Sequence, residues 1–186
     1  WYHTKHILGC NKSGVIKVLT PLDHQMQFDF IYMLKCFKTC SDQEIYDAML
    51  AGEKNDFIQD RILLMMDHSQ KDYPTQYTHS DFLSHFGRIL RDRFYFIDTS
   101  MSDERAGSIL INMYLFPNLP MESKFDTLIL CGRKLLKVCS GEIAVDGESA
   151  DFLAVHEVVM GPQNYFAALK FSIHSLLNYL YREAQK

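Results

Sequence analysis

Two cysteines, Cys131 and Cys139, share the stretch KFDTLILCGRKLLKVCSGEIAVDGESAD (residues 124–151) with a basic run and, after it, acidic residues around two glycines. A thiol does chemistry as the thiolate, which needs a nearby cation or a helix N-terminus. Phe125, Leu128, Ile129, Gly132, Leu135, Leu136 and Cys139 recur at spacings of three and four, which predicts a helix with one buried face. Cys139 then serves as a small apolar residue on the core side, with Cys131 flanking it. Gly132 within the stripe implies close approach of another element. Lys134 and Lys137 fall on the solvent side of the last turns, where cations complement the helix dipole. No histidine or basic residue is spaced to hold either sulfur as a thiolate, so both thiols read as structural.

Metal and catalytic patterns fare no better. A calcium loop needs oxygen ligands at alternate positions before its glycine; counted from Asp146 the glycine arrives at once, so residues 142–151 read as a solvated acidic loop. His3, His6 and Cys10 lie in a strand-like segment, where residues three apart point to opposite faces, and no fourth ligand is near. Cys36 and Cys40 share one helix end, but two ligands do not make a site. There is no nucleophile elbow, no P-loop and no dinucleotide-binding glycine fingerprint. Asp47, Glu53 and Asp60 read as solvated helix acids. The sequence assigns no catalytic residue and no metal.

Two patches carry interaction readings. GRILRDRF places Arg88, Arg91 and Arg93 close together, with Arg88 and Arg91 on one helical face. Phosphate or subunit contact is one reading; ion pairing with Asp92 or neighbouring acids is the other, favoured by the overall acidity. On the last helix Phe171, His174, Asn178 and Tyr181 run opposite the core stripe and are more aromatic than a solvated face requires. They form a candidate partner surface or a second buried side.

Regular elements must position these groups. Residues 2–20 read as a β-hairpin: YHTKHILG, a turn at Asn11-Lys12-Ser13-Gly14, then VIKVLT stopped by Pro21. Beyond it helices dominate. Phe30, Met33, Leu34 and Phe37 make one apolar stripe. Ser41 and Glu44 form a capping box before DQEIYDAML, which Gly52 closes from the C′ position. Ile58, Ile62, Met65 and Ser69, with Met66 beside them, trace the next face, and Tyr73-Pro74 closes that helix. SDFLSHF reads as a short helix ended at Gly87. Ser102 caps the helix in SDERAGSILINMYL, which stops before Pro117. Gly161 and Pro162 open a final helix with the core stripe Phe166, Leu169, Ile173, Leu176, Leu177 and Leu180.

With no repeat, low-complexity segment or linker, the expectation is a single α+β, mainly helical domain over 1–186: a small N-terminal β-hairpin over 1–20 and helices over 21–186. The chain has 186 residues, 47% hydrophobic and 23% charged, within the range of globular domains. Its net charge of -4 argues against a free-standing nucleic-acid binder. No apolar stretch approaches the roughly 18 residues of a membrane span, so no membrane partner is expected. The five cysteines, odd in number and without a CxxC pair, suit reduced thiols in the cytosol or nucleus. Because the first residue is Trp1, the sequence reads as an internal piece of a longer polypeptide.

Taken in order, several segments resemble the lobe region of the second-largest subunit of RNA polymerase I. SDQEIYDAMLAGEKNDFIQDRILLMM is similar to that family's capped helix and the helix after it, through Phe57, Asp60, Arg61 and Leu64. FLSHFGRILRDRF resembles its short helix ended by glycine. The closest match lies in Lys124, Phe125, Leu128, Arg133, Lys134, Leu135, Gly141, Glu142, Asp146, Asp151, Glu157, Val158 and Gly161. The polymerase II relative carries a segment ending on basic residues where this chain has VHEVVMG, so polymerase I is the nearer kin.

The resemblance implies a non-catalytic, lobe-like module of a DNA-directed RNA polymerase (a nucleotidyltransferase) that makes ribosomal RNA precursor in the nucleus, in the nucleolus. It further implies part of one jaw of the DNA cleft and a docking surface for a heterodimer resembling the initiation factor TFIIF. Partners would be the other polymerase I subunits, that heterodimer and DNA in the assembled complex. No cofactor is implied for this segment, the magnesium of the parent polymerase being bound elsewhere. The rival reading is a free-standing helical adaptor that binds another protein through the final helix.

Overall fold

A computed structural model of the chain describes residues 7–11, 13–19, 26–73, 76–91, 100–144 and, in a last helical segment, 169, 172, 173, 176, 177, 180, 181, 183 and 184. It has two compact units, Trp1–Ala144 and Val145–Lys186. The first is mainly helical with one small antiparallel sheet.

Strands β1 (Ile7–Cys10) and β2 (Ile16–Leu19) form the hairpin, with Gly9 opposite Lys17 and Leu8 opposite Val18. Asn11 closes its turn. The Asn11 side-chain oxygen accepts from the Ser13 hydroxyl at 2.7 Å and the Val15 N–H at 2.8 Å, while Gly14 supplies φ +86°. Beyond the hairpin the structure adds to the sequence reading at residues 27–29. They form β3 (Gln27–Asp29), which pairs antiparallel with β2, so the sheet has three strands in the order β1-β2-β3. A three-residue strand is too short to show an alternation of its own; burial of Phe28 opposite Val18 holds it.

Helix α1 (Phe30–Phe37) follows at once and is buried on nearly every side, leaving only Lys35 outside the buried set. Around it lie α2 (Asp42–Leu50), α3 (Asp56–Asp72), α4 (His79–Arg91), α5 (Asp103–Tyr114) and α6 (Met121–Cys139). The Ser41–Glu44 capping box is present, with the Glu44 N–H donating to the Ser41 hydroxyl at 3.2 Å and the Ser41 N–H to Glu44 Oε2 at 2.7 Å. Gly52 closes α2 at φ +81°. The inward face of α3 consists of Ile58, Ile62, Met65, Met66 and Ser69, as the spacing requires. Thr78 starts α4 in the same reciprocal way as Ser41: the Thr78 N–H donates to Asp81 Oδ2 at 2.8 Å and the Asp81 N–H to the Thr78 hydroxyl at 3.3 Å. Ser102 caps α5 by accepting from the Arg105 N–H.

Gly87 does not end a helix. It sits inside α4, where a Cβ would lie 1.9 Å from the Asp103 carbonyl oxygen; one on Gly107 would lie 2.2 Å from the Leu83 carbonyl oxygen. These two glycines let the backbones of α4 and α5 touch. The sequence alone offers no way to tell such a crossing glycine from a helix stop. Gly132, expected to admit another element, admits the ring of Phe30, 2.4 Å from where its Cβ would be.

Lys124 is 1% exposed, and its ammonium donates to the carbonyls of Ile111 and Asn112 at 3.1 and 3.2 Å, capping the end of α5 from the first turn of α6. Burial pushes its pKa below the ordinary lysine value. Pro74, Pro162, Gly161 and Phe166 lie outside the described residues.

Gly107→Ala is expected to lower the unfolding free energy by about 2 kcal/mol or more, because a helix backbone would have to move. Gly9→Ala, whose added methyl meets nothing within 4 Å, should change it by less than about 0.5 kcal/mol. Lys124→Met, similar in length but unable to donate, should cost about 1–3 kcal/mol by leaving the end of α5 without its buried donor. Chemical denaturation of each variant checks all three.

The caps also set an acid limit. Glu44 is held below the usual carboxylate range chiefly by the Ser41 N–H, and Asp81 chiefly by the Thr78 hydroxyl. A carboxyl depressed in the fold contributes stability above its unfolded pKa of about 4 and loses it as the pH falls through the folded one. The denaturation midpoint should therefore drop as the pH is lowered through that range. The double variant Glu44→Gln, Asp81→Asn should flatten the dependence.

Candidate functional site

The arginine patch on α4 is divided by the fold. Arg88 is exposed in the last turns of the helix, and among the described residues it makes no salt bridge. Arg91 is committed instead: its Nη2 lies 3.0 Å from Asp103 Oδ1 and donates to the Met101 carbonyl, tying the end of α4 to the start of α5. Ion pairing thus describes Arg91, with Asp103 as the acid. Arg93 and Asp92 lie outside the described residues.

The late thiols come out differently from each other. The α6 face is buried at Phe125, Leu128, Ile129, Gly132 and Leu136, as the spacing predicts, but Cys139 is exposed and Cys131 half-buried. The stripe loses the core in its last turn, because Cys139 is the final residue of the helix. Nearby, Lys137 bridges Glu53 at 2.8 Å and Glu142 at 3.6 Å, and Glu142 also accepts from the Asn55 amide. The hydrogen bond from Lys137 holds Glu53 below the ordinary glutamate range. The first acid of the loop is therefore part of a clamp joining the end of α6 to the start of α3. Residues 145–151 of that loop lie outside the described residues, as do His3 and His6.

Burial moves the other thiols away from reactivity. Cys36, fully buried, has its pKa raised by loss of hydration, and Cys40 is pushed up to about 11 by the same cause. Cys10 is raised by burial first and then by the adjacent Cys139 sulfur. A thiol with a raised pKa is protonated near neutrality and is a poor nucleophile.

A cavity of about 500 Å³ opens where the end of α1 meets the starts of α2 and α4, lined in part by Lys35, Lys38, Cys40, Asp42 and His79. Its charges are already engaged. Lys35 pairs with Asp42 at 2.6 Å, Lys38 stands over the Phe125 ring, and His79 Nδ1 is 2.8 Å from the Lys35 carbonyl oxygen. No nucleophile–base pair forms among these groups.

The final helical segment departs most from the sequence reading. Leu169, Ile173, Leu176, Leu177 and Leu180, expected as its core stripe, are 44–58% exposed. The described apolar surface of this helix is therefore the stripe itself. On the expected aromatic face Tyr181 is 42% exposed, while Phe171, His174 and Asn178 lie outside the described residues. The amphipathic spacing was legible, but whether anything covers such a face is not encoded in spacing.

One cluster went unnoticed in the sequence. His68 and Asp72, one helical turn apart on α3, converge with Asp29 at the end of β3. A histidine and an aspartate at i, i+4 were the available signal; the third member required knowledge of β3.

No family model matches the chain. It is 28% identical over 152 residues to DNA-directed RNA polymerase I subunit RPA2 of Euplotoides octocarinatus, covering 80% of this chain and 12% of that protein. It is 27% identical over 151 residues to DNA-directed RNA polymerase I subunit RPA135 of Saccharomyces cerevisiae, covering 79% of this chain and 12% of the relative. The Drosophila melanogaster subunit RPA2 is 24% identical over 156 residues, 83% of this chain and 14% of its own length. The resemblance carried by Lys124, Phe125, Leu128 and their neighbours thus accompanies a likeness over about four-fifths of the sequence, and the chain is similar to these RNA polymerase I subunits while spanning 12–14% of their length.

Proposed function

We propose that this chain is the lobe of a polymerase I second-largest subunit, a non-catalytic block that supports synthesis of ribosomal RNA precursor in the nucleolus. In this reading it forms part of one jaw of the DNA cleft, packs against other polymerase subunits and docks a heterodimer resembling TFIIF. The observation that carries it is the set of relatives, each named as a subunit of DNA-directed RNA polymerase I and each aligned over about four-fifths of the chain. A non-catalytic role is supported by raised thiol pKa values and by cations already committed to ion pairs or ring contacts. The metal ions of nucleotidyl transfer would be held elsewhere in the assembled enzyme. Arg88, exposed near the end of α4, is the described member of the arginine group best suited to meet duplex phosphate.

The exposed leucine stripe supports a surface that another chain covers, since a contiguous apolar face on water is costly. The same stripe favours the second reading, a free-standing helical adaptor, which needs no polymerase partner.

A pull-down of the 186-residue chain against the purified TFIIF-like heterodimer of polymerase I tests the docking claim. Capture at micromolar concentrations is expected, and Leu176→Asp, placed on an exposed position, should weaken it about tenfold or more. Absence of capture at those concentrations would remove the docking role. Capture that Leu176→Asp leaves unchanged would move the contact off the stripe.

A further inference from the structure

We propose that Asp29, His68 and Asp72 form a binding site for a borderline divalent cation of the zinc type, pinning β3 to α3. His68 Nδ1 lies 3.4 Å from Asp72 Oδ2 and 3.9 Å from Asp29 Oδ2, and one donor atom from each residue falls within 4.8 Å of the other two. The spacing of His68 and Asp72 puts both side chains on the same face of α3. Asp29 reaches that face from the end of β3 and is 8% exposed.

The state of His68 is the observation that points to a ligand. Its Nδ1 is buried although the side chain is 39% exposed, and it makes no hydrogen bond even with two carboxylates close by. A buried ring nitrogen directed between two carboxylates needs an electrophile, either a proton or a metal ion. Zinc with bonds of about 2.0–2.1 Å sets neighbouring donors about 3.3 Å apart, so the His68–Asp72 separation already suits it. The third donor, Asp29 Oδ2, lies 3.9 Å from the ring nitrogen, and Asp72 is half exposed.

The surroundings fit the same ion. The Lys17 ammonium bonds the other Asp29 oxygen, Oδ1, and so fixes the carboxylate with Oδ2 turned to His68. Two carboxylates and one ammonium surround the His68 imidazole. The carboxylates attract a cation, while the ammonium keeps the affinity moderate. One nitrogen and two oxygen donors suit zinc, cobalt or manganese better than calcium or magnesium, with water completing the shell. The inference does not rest on the polymerase reading.

The test is calorimetric titration of zinc chloride into the full 186-residue chain, freed of metal by chelation, with a thermal melt in parallel. The expected result is one ion per chain, a dissociation constant in the micromolar range and a melting temperature raised by the ion. His68→Ala and Asp72→Asn, at side chains that are both partly exposed, should each weaken binding tenfold or more. Asp67→Asn, at the exposed acid that pairs with Lys71, should leave it unchanged. Absence of binding overturns the proposal. So does binding that neither His68→Ala nor Asp72→Asn alters, since the ion would then sit on other residues.

Discussion

A helix with almost no polar face governs the first unit of this protein. Seven of the eight residues of α1 are buried, from Phe30 to Phe37. A helix surrounded in this way cannot rest on one neighbour; it needs apolar surface all round it. β2, β3, α3, α4 and α6 all pack against it. The stripes on α3, α4 and α6 are thus walls of one chamber built for α1.

Burying a helix so completely obliges its polar atoms to find partners inside. The Tyr32 hydroxyl lies within hydrogen-bonding reach of the Phe82 carbonyl at 3.3 Å and of His85 Nδ1 at 3.1 Å, and the Cys36 thiol faces the same carbonyl. Phe28, Tyr73, Phe82 and His85 pack their rings against that of Tyr32. Burial raises the pKa of Tyr32, and likewise that of Cys36, so both stay neutral. The interior that stabilises the unit is therefore also what keeps the Cys36 thiol protonated and a poor nucleophile. Distance is set by glycine: at Gly87 and Gly107 the α4 and α5 backbones meet, and at Gly132 the Phe30 ring fills the space a methyl would take.

Charged groups in this unit mostly fasten elements to one another. Lys17 joins β2 to β3, Arg91 joins α4 to α5, and Lys137 joins α6 to the approach of α3. Arg61 bonds the Ser13 carbonyl and lies over the Phe57 ring, linking α3 to the hairpin turn. Phe57 and Arg61 are among the residues that carry the polymerase resemblance, as are Lys124, Phe125 and Leu128, and here they act as connections and core. Residues placed in this way tie the elements of the first unit together, whereas the leucines of the last helical segment stand open to solvent.

Local information in the sequence determined the elements and their caps. The Ser41–Glu44 box, the Asn11 turn, the Gly52 stop and the inward face of α3 depend on residues within a turn or two of each other, so spacing and side-chain chemistry suffice. The fate of each face was decided by tertiary structure, because burial depends on what arrives from far along the chain. That is why β3 was invisible until β2 lay beside it, and why Gly87 read as a stop before α5 crossed it. For the same reason Cys139 read as core until α6 ended, and the leucine stripe read as buried although nothing in its spacing could say what covers it. Lys124, Arg91 and the meeting of Asp29 with His68 and Asp72 belong to the same class: the residues were visible, but their partners were supplied only by the fold.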